Sequence, residues 1–211
     1  MKTEELIAAL VADRVAPGLS LARRVLLALL MGGLLSLGLF FVILGVRQDF
    51  AAALATWRFD LKLVLVLLAF VLAFGLCRAL ARPITPPHPG RRLLPLLALA
   101  IAAIATELVV VPTAAWGTRL VGSNALICLS AIPVLSLAPL AALLAALRSA
   151  APPSPVLAGA AAGLLAAAGG ATLYAFHCFD DSPLFVATWY TLAAIPVVAL
   201  GAVAGHRLLR W

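Results

Sequence analysis

The sequence predicts an all-α membrane protein of six transmembrane helices, with both termini cytoplasmic and a short amphipathic helix at the N-terminus. Three observations carry that prediction. First, 65% of the 211 residues are hydrophobic and 11% charged, with a mean hydropathy of +1.16. A soluble domain typically has roughly 45–50% apolar and about 25% charged residues. This chain cannot cover its surface with polar groups, so its solvent is lipid. Second, six apolar runs, each long enough to cross a bilayer, are separated by short breaks rich in Arg, Pro or aromatic residues. Third, Lys and Arg divide unequally between alternate breaks.

The chain splits into an N-terminal segment, residues 1–22, and a six-helix domain, residues 23–211. In the segment, "TEELIAALVADR" opens on Thr3 as N-cap with acids in the first turn. Leu6, Ile7, Leu10 and Val11 then share one face at helical spacing, and "APG" at 16–18 ends the helix. Spans follow at about 25–46, 61–80, 93–111, 123–147, 156–176 and 184–205. Lys62 and Arg78 lie near the ends of the second span, where long cations can snorkel to the interface. Pro133 and Pro139 should kink the fourth helix and Pro196 the sixth, with neighbouring helices satisfying the freed carbonyls. "GAAAG" at 159–163 and "GAVAG" at 201–205 place small residues at i and i+4, where helix backbones approach closely.

Orientation follows from the cations. With the N-terminus in the cytoplasm, eleven of the fifteen Lys and Arg fall on the inner side. Only Arg47, Arg58, Lys62 and Arg119 fall outside, which places both termini inside. Trp57, Trp116 and Trp189 mark the outer boundary and Trp211 the inner one. Glu4, Glu5 and Asp13 precede any apolar run, so no signal peptide is expected. The net charge of +7 and pI near 10.4 suit cytoplasmic loops beside a lipid bilayer better than direct nucleic-acid binding. No cofactor is expected.

Chemistry gathers in "FHCFDDSPLF", residues 176–185, the outer turn between helices five and six. Cys178 sits there beside His177, exposed and in polar surroundings, as a reactive thiol requires. Cys128 enters helix four from the same side and is shallow enough to be reached. Cys77 lies at the opposite end of helix two. Cys128 and Cys178, with His177, Asp180 or Asp181, can form a soft-metal site of mixed ligands or a disulfide. The plainer alternative makes Cys128 a packing residue and 177–181 a solvated turn, since Asp, Ser and Pro are ordinary turn residues. Glu107, near the outer end of helix three, is expected as an interfacial carboxylate that faces water or pairs with Lys62, Arg119 or His177. No charge lies at mid-membrane, which weakens a proton-driven transporter.

The stretches "MKTEELIAALVAD", "CLSAIPVLSLAPLAALLAALR", "AGAAAGLLAAAGGATLYAFHCFDDSPLFVATWY" and "HRLLRW" together resemble the NrsF family, bacterial six-helix inner-membrane anti-sigma proteins. The most specific part is His177, Cys178, Asp180 or Asp181, Ser182, Pro183, Phe185, Trp189 and Tyr190. The resemblance implies regulation rather than catalysis. An extracytoplasmic-function sigma factor would be held at the membrane and released when oxidative or heavy-metal stress modifies Cys128 and Cys178; the chemistry of the residues themselves adds His177, Asp180, Asp181 and Glu107 as auxiliary groups at that sensor. The resemblance gives Cys77 no counterpart, and packing is assigned to it. The apolar face of Leu6, Ile7, Leu10 and Val11 is expected to dock in a partner's groove, here the sigma factor's. Two other classes remain open, a small membrane thiol oxidoreductase and a neutral-solute transporter.

Overall fold

The computed structural model describes residues 3–5, 19–84 and 86–210. Among them the chain is helical without strands, and six helices are long and apolar enough to cross a membrane. We label them α1 (Leu21–Ile43), α2 (Trp57–Leu80), α3 (Leu94–Val110), α4 (Ala125–Leu147), α5 (Pro155–Ala175) and α6 (Pro183–Leu208). Residues 3–5 are helical and exposed; Leu6, Ile7, Leu10 and Val11, and the stop at 16–18, lie outside the described residues.

The helix boundaries differ from the expected ones for local reasons. Ser20 caps α1, its Oγ accepting the Arg23 N–H at 3.4 Å, so Arg23 and Arg24 enter the first turn. Lys62 and Arg58 likewise fall inside α2, which begins at Trp57. Charge alone therefore misplaces an end by about one turn, because a long cation tolerates a terminal turn of a membrane helix.

The bundle centres on α5, which packs against α6, α2 and α4. Over its most apolar window 61% of residues are buried, against 11% for the span that contains α3. Hence α5 is the hub and α3 the periphery. Between α5 and α6 the contact is backbone on backbone: a Cβ on Gly159 would sit 2.2 Å from the Gly201 carbonyl oxygen. The small-residue stripes are thus the seam of the bundle.

Helix α4 continues through Pro133 and Pro139. A proline at 139 deprives the Leu135 carbonyl of its helical donor. Ser36 of α1 replaces it, donating its hydroxyl at 2.6 Å within the core. That is the compensation by a neighbouring helix expected from the sequence.

The connections 44–56, 111–124 and 176–182 meet at one end of the bundle, where Trp57, Trp116 and Trp189 also lie. The opposite end carries Arg23, Arg24, Arg78, Arg82, Arg91, Arg92, Arg148, Arg207 and Arg210. Cys77 is buried in the core toward that opposite end, among Val25, Leu143 and Leu147.

Candidate functional site

At the end of α5 the chain tightens before it turns. His177 and Cys178 N–H groups both donate to the Tyr174 carbonyl, at 2.9 and 3.0 Å. This curl aims Cys178 into the bundle, where it is fully buried. Its carbonyl accepts from Lys62 Nζ at 2.9 Å and from Arg47 Nη1 at 3.0 Å. Both cations also bind the Asp181 carboxylate, Arg47 at 2.9 Å and Lys62 in direct contact. Arg47 further chelates Asp49 through Nε and Nη2, each at 2.7 Å. Its guanidinium, by this bond, holds the Asp49 carboxyl below the usual range, and its own value is raised, chiefly by the Asp49 bond. Lys62 therefore does not snorkel. It is buried, because a cation one turn inside α2 meets a carboxylate there, and a buried charge requires such a partner.

Asp180 serves the other side of the turn. Its carboxylate accepts the backbone N–H groups of Ser123 and Asn124, at 3.0 and 2.8 Å, and the Asn124 side-chain amide at 2.9 Å. It caps the start of α4 from a distant loop. The approach needs Gly122, which has φ +58°, and whose Cβ would lie 2.6 Å from the Phe185 ring and 2.7 Å from the Asp180 carboxyl carbon. The Asn124 carbonyl in turn accepts from the Cys128 N–H at 2.8 Å and from the Tyr174 hydroxyl at 3.3 Å. Residues 177–181 are thus a bonded hub joining α2, the start of α4, the end of α5 and the connection that follows α1, and not merely a solvated turn.

Cys128 and Cys178 belong to one buried cluster with Tyr174, Phe185 and Tyr190, and both are free thiols. The expected exposure of Cys178 and shallow reach of Cys128 are corrected here: neither has accessible surface, because the aromatic rings of α5 and α6 close over them. Burial pushes the Cys178 thiol above its ordinary value, with the Lys62 ammonium pulling the other way. The mixed metal set of Cys128, Cys178 and His177 is not assembled. Among the described residues no three His, Cys, Asp or Glu side chains are grouped to hold a metal ion. His177 instead points Nδ1 at the Gly45 carbonyl, 3.0 Å away.

Glu107 is fully buried rather than facing water. It accepts from Arg58 Nε at 2.9 Å and from the Ser182 hydroxyl at 3.3 Å, with Arg119 at 3.9 Å. Of the three partners expected, only Arg119 is near; Lys62 and His177 are engaged elsewhere. The carboxylate ties peripheral α3 to α2 and to the residue that precedes α6.

The family model described as "Negative regulator of sigma F", NrsF, matches residues 10–211. The chain belongs to the NrsF family. It is 35% identical over 216 residues to the "Probable anti-sigma-F factor NrsF" of Azospira oryzae, covering all of both chains. It is 34% identical over 218 residues to the "Anti-sigma-F factor NrsF" of Caulobacter vibrioides, again with full coverage of both. No solved structure matches the chain.

Within this NrsF chain, sequence reasoning brought together Cys128, Cys178, Asp180 and Asp181 but missed the groups that hold them. Arg47 registered only as a topology charge, Lys62 as a snorkelling cation or a partner of Glu107, Ser182 as part of the family motif, and Asn124 and Tyr174 as ordinary residues. A lysine within an apolar run, with a Cys–x–x–Asp turn due at the same height, was the available signal.

Proposed function

We propose that this chain is a transmembrane anti-sigma factor of the bacterial inner membrane, with both termini cytoplasmic. It holds an extracytoplasmic-function sigma factor and releases it when an oxidant or heavy metal modifies Cys128 and Cys178. Family membership and the names of the two relatives support the anti-sigma reading. The arginines that crowd the end opposite the thiols support the orientation.

One observation carries the sensing half. The two thiols share a buried cluster whose edge, the Cys178 carbonyl, is pinned by Arg47 and Lys62. On this reading an oxygen or metal added at either sulfur, or a bond between the two, displaces the pinned turn. The turn also caps α4 through Asp180, and α4 runs to the arginine end packed on α1, α5 and α6. On this reading the shift reaches the surface that holds the sigma factor, with Leu6, Ile7, Leu10 and Val11 lying in the partner's groove.

The magnitudes suffice. Moving a population from 99% held to 99% released takes about 5.5 kcal/mol of differential binding. A disulfide contributes about 2–4 kcal/mol, and separating one partner from a buried ion pair about 3–5 kcal/mol. Either alone falls short, and the two together reach it. A neutral-solute transporter needs a polar path. Three clefts among the described residues, of about 260, 290 and 280 Å³, are lined almost wholly by apolar side chains.

The test is affinity capture of the tagged protein from its native membrane before and after an oxidant pulse, with mass spectrometry of partners and thiols. A sigma factor present before and absent after, with Cys128 and Cys178 both changed, is the expected result. Capture of no sigma factor under either condition overturns the reading.

A further inference from the structure

Helix α6 contains a π-helical turn at Val186–Tyr190. Such turns are rare and gather at functional sites. This one delivers Tyr190 into the thiol cluster, its ring 5.8 Å from that of Tyr174 and 6.4 Å from that of Phe185. The ionisable groups around its hydroxyl are Cys178, Cys128 and Tyr174. Yet this buried hydroxyl meets no strong acceptor among the described residues, only the weakly accepting Cys178 thiol. The neighbouring Tyr174 hydroxyl, by contrast, has the Asn124 carbonyl.

Buried polar groups are nearly always well paired, so a buried hydroxyl without a strong acceptor calls for a cause. A neutral thiol is a weak acceptor and satisfies it poorly. A thiolate, or the oxygen of an oxidised sulfur, is a strong one. The hydroxyl therefore has a strong acceptor in the reacting state that it lacks in the resting state.

We propose that Tyr190 is a positioning residue for oxidation of Cys178, donating its hydroxyl proton in a hydrogen bond first to the thiolate sulfur and then to the oxygen of the sulfenic acid formed there. The proposal rests on the sensing reading above. The oxidant is a small hydroperoxide. Cys178 loses its proton to water, and the thiolate attacks the terminal peroxide oxygen. The O–O bond breaks, and the alkoxide or hydroxide that leaves takes up a proton. Cys128, as thiolate, then attacks the sulfenic sulfur; a disulfide forms and the S–O bond breaks, its oxygen leaving as water. Two thiols lose two electrons, which reduce one peroxide. A cleft of about 290 Å³ opens beside the π-helical turn, bordered by Pro183, Val186, Ala187 and Tyr190.

The test uses the full-length protein, reduced, in proteoliposomes, as wild type and Tyr190→Phe. N-ethylmaleimide alkylation of Cys178 is followed by peptide-resolved mass spectrometry from neutral to alkaline pH, with Cys77 as internal control. Dimedone trapping after hydrogen peroxide reports the sulfenic acid. Removing the hydroxyl is expected to slow Cys178 alkylation roughly tenfold at neutral pH, a displacement of about one pH unit, and to lower dimedone labelling in parallel. Thermal stability of the reduced protein is expected to hold or rise, because an unmet polar atom is lost. An unchanged Cys178 profile overturns the proposal, as does a parallel slowing at Cys77 with lower stability, which marks a packing role. The sensing reading fails separately, if Cys178→Ser protein still releases its partner on oxidation.

Discussion

Lys62, a turn inside α2, donates at 2.9 Å to the carbonyl oxygen of Cys178, on the far side of the α5–α6 turn. The same ammonium binds Asp181, and both groups are largely buried. One lysine thus fixes the backbone of a thiol-bearing residue 116 positions away.

Lys62→Met tests that relationship. Removing one member of a buried pair costs about 3–5 kcal/mol, because the other charge is left behind. Arg47 still reaches Asp181, so the loss should fall at the lower end of that range. The variant is expected to unfold at lower temperature in detergent. On the proposed function it also leaks sigma-dependent transcription without stress, read from a reporter. The double variant Lys62→Met, Asp181→Leu is expected to recover part of the stability, since apolar groups can replace a buried pair.

The Cys178 thiol yields a pH dependence. Burial raises its folded value above the unfolded one. The folded state then keeps a proton that the unfolded state has lost, so stability is full below the unfolded value, near 8.5 for a free cysteine, and declines as pH rises beyond it. Denaturation in detergent is expected to become easier at alkaline pH, and less so in Cys178→Ser. Alkylation at neutral pH should be slower than for an exposed cysteine. A fast Cys178 at pH 7 contradicts the buried thiol.

The six helices were legible because lipid imposes one rule on all of them, a predominantly apolar run of sufficient length with charges confined near its ends. The turn at 177–181 was legible as a concentration of reactive groups, but not as a bonded hub around a buried thiol. What ties it down is Lys62, which has the spacing of an ordinary end-of-helix cation. Its inward aim comes from α2 packing on α5, a contact between residues about a hundred positions apart with no local signature. The fate of Glu107 was hidden for the same reason, since its partners Arg58 and Ser182 come from other helices. The small-residue seam was local, and so it was readable.

Ser36 and Pro139 give a stability prediction away from the thiols. The Leu135 carbonyl, freed by the proline, depends on the Ser36 hydroxyl at 2.6 Å. Ser36→Ala leaves a buried acceptor unmet, at about 1–3 kcal/mol. The added change Pro139→Ala restores the helical donor and is expected to recover much of that loss. Non-additivity of the two changes in thermal unfolding is the measurement, and strict additivity would show that the hydroxyl and the proline are not coupled.

The seam between α5 and α6 sets the last expectation. A Cβ at Gly159 would fall 2.2 Å from the Gly201 carbonyl oxygen, and one at Gly201 2.4 Å from the Gly159 carbonyl oxygen. Both obstacles are backbone, so no rotamer change relieves them. Gly159→Ala and Gly201→Ala must each push the helices apart, and overpacking of a tight core costs about 1–3 kcal/mol. Gly169, whose nearest neighbour is the Phe70 ring at 3.5 Å, accepts a methyl in ordinary contact and serves as the matched control. Separating α5 from α6 also strains the turn that joins them, which carries Cys178 and Asp181. The seam variants are therefore expected to lower thermal stability and to raise Cys178 alkylation together, while Gly169→Ala changes neither. Lower stability with Cys178 still protected would mean that the thiol hub is held by Arg47 and Lys62 alone, independent of the helix seam beneath it.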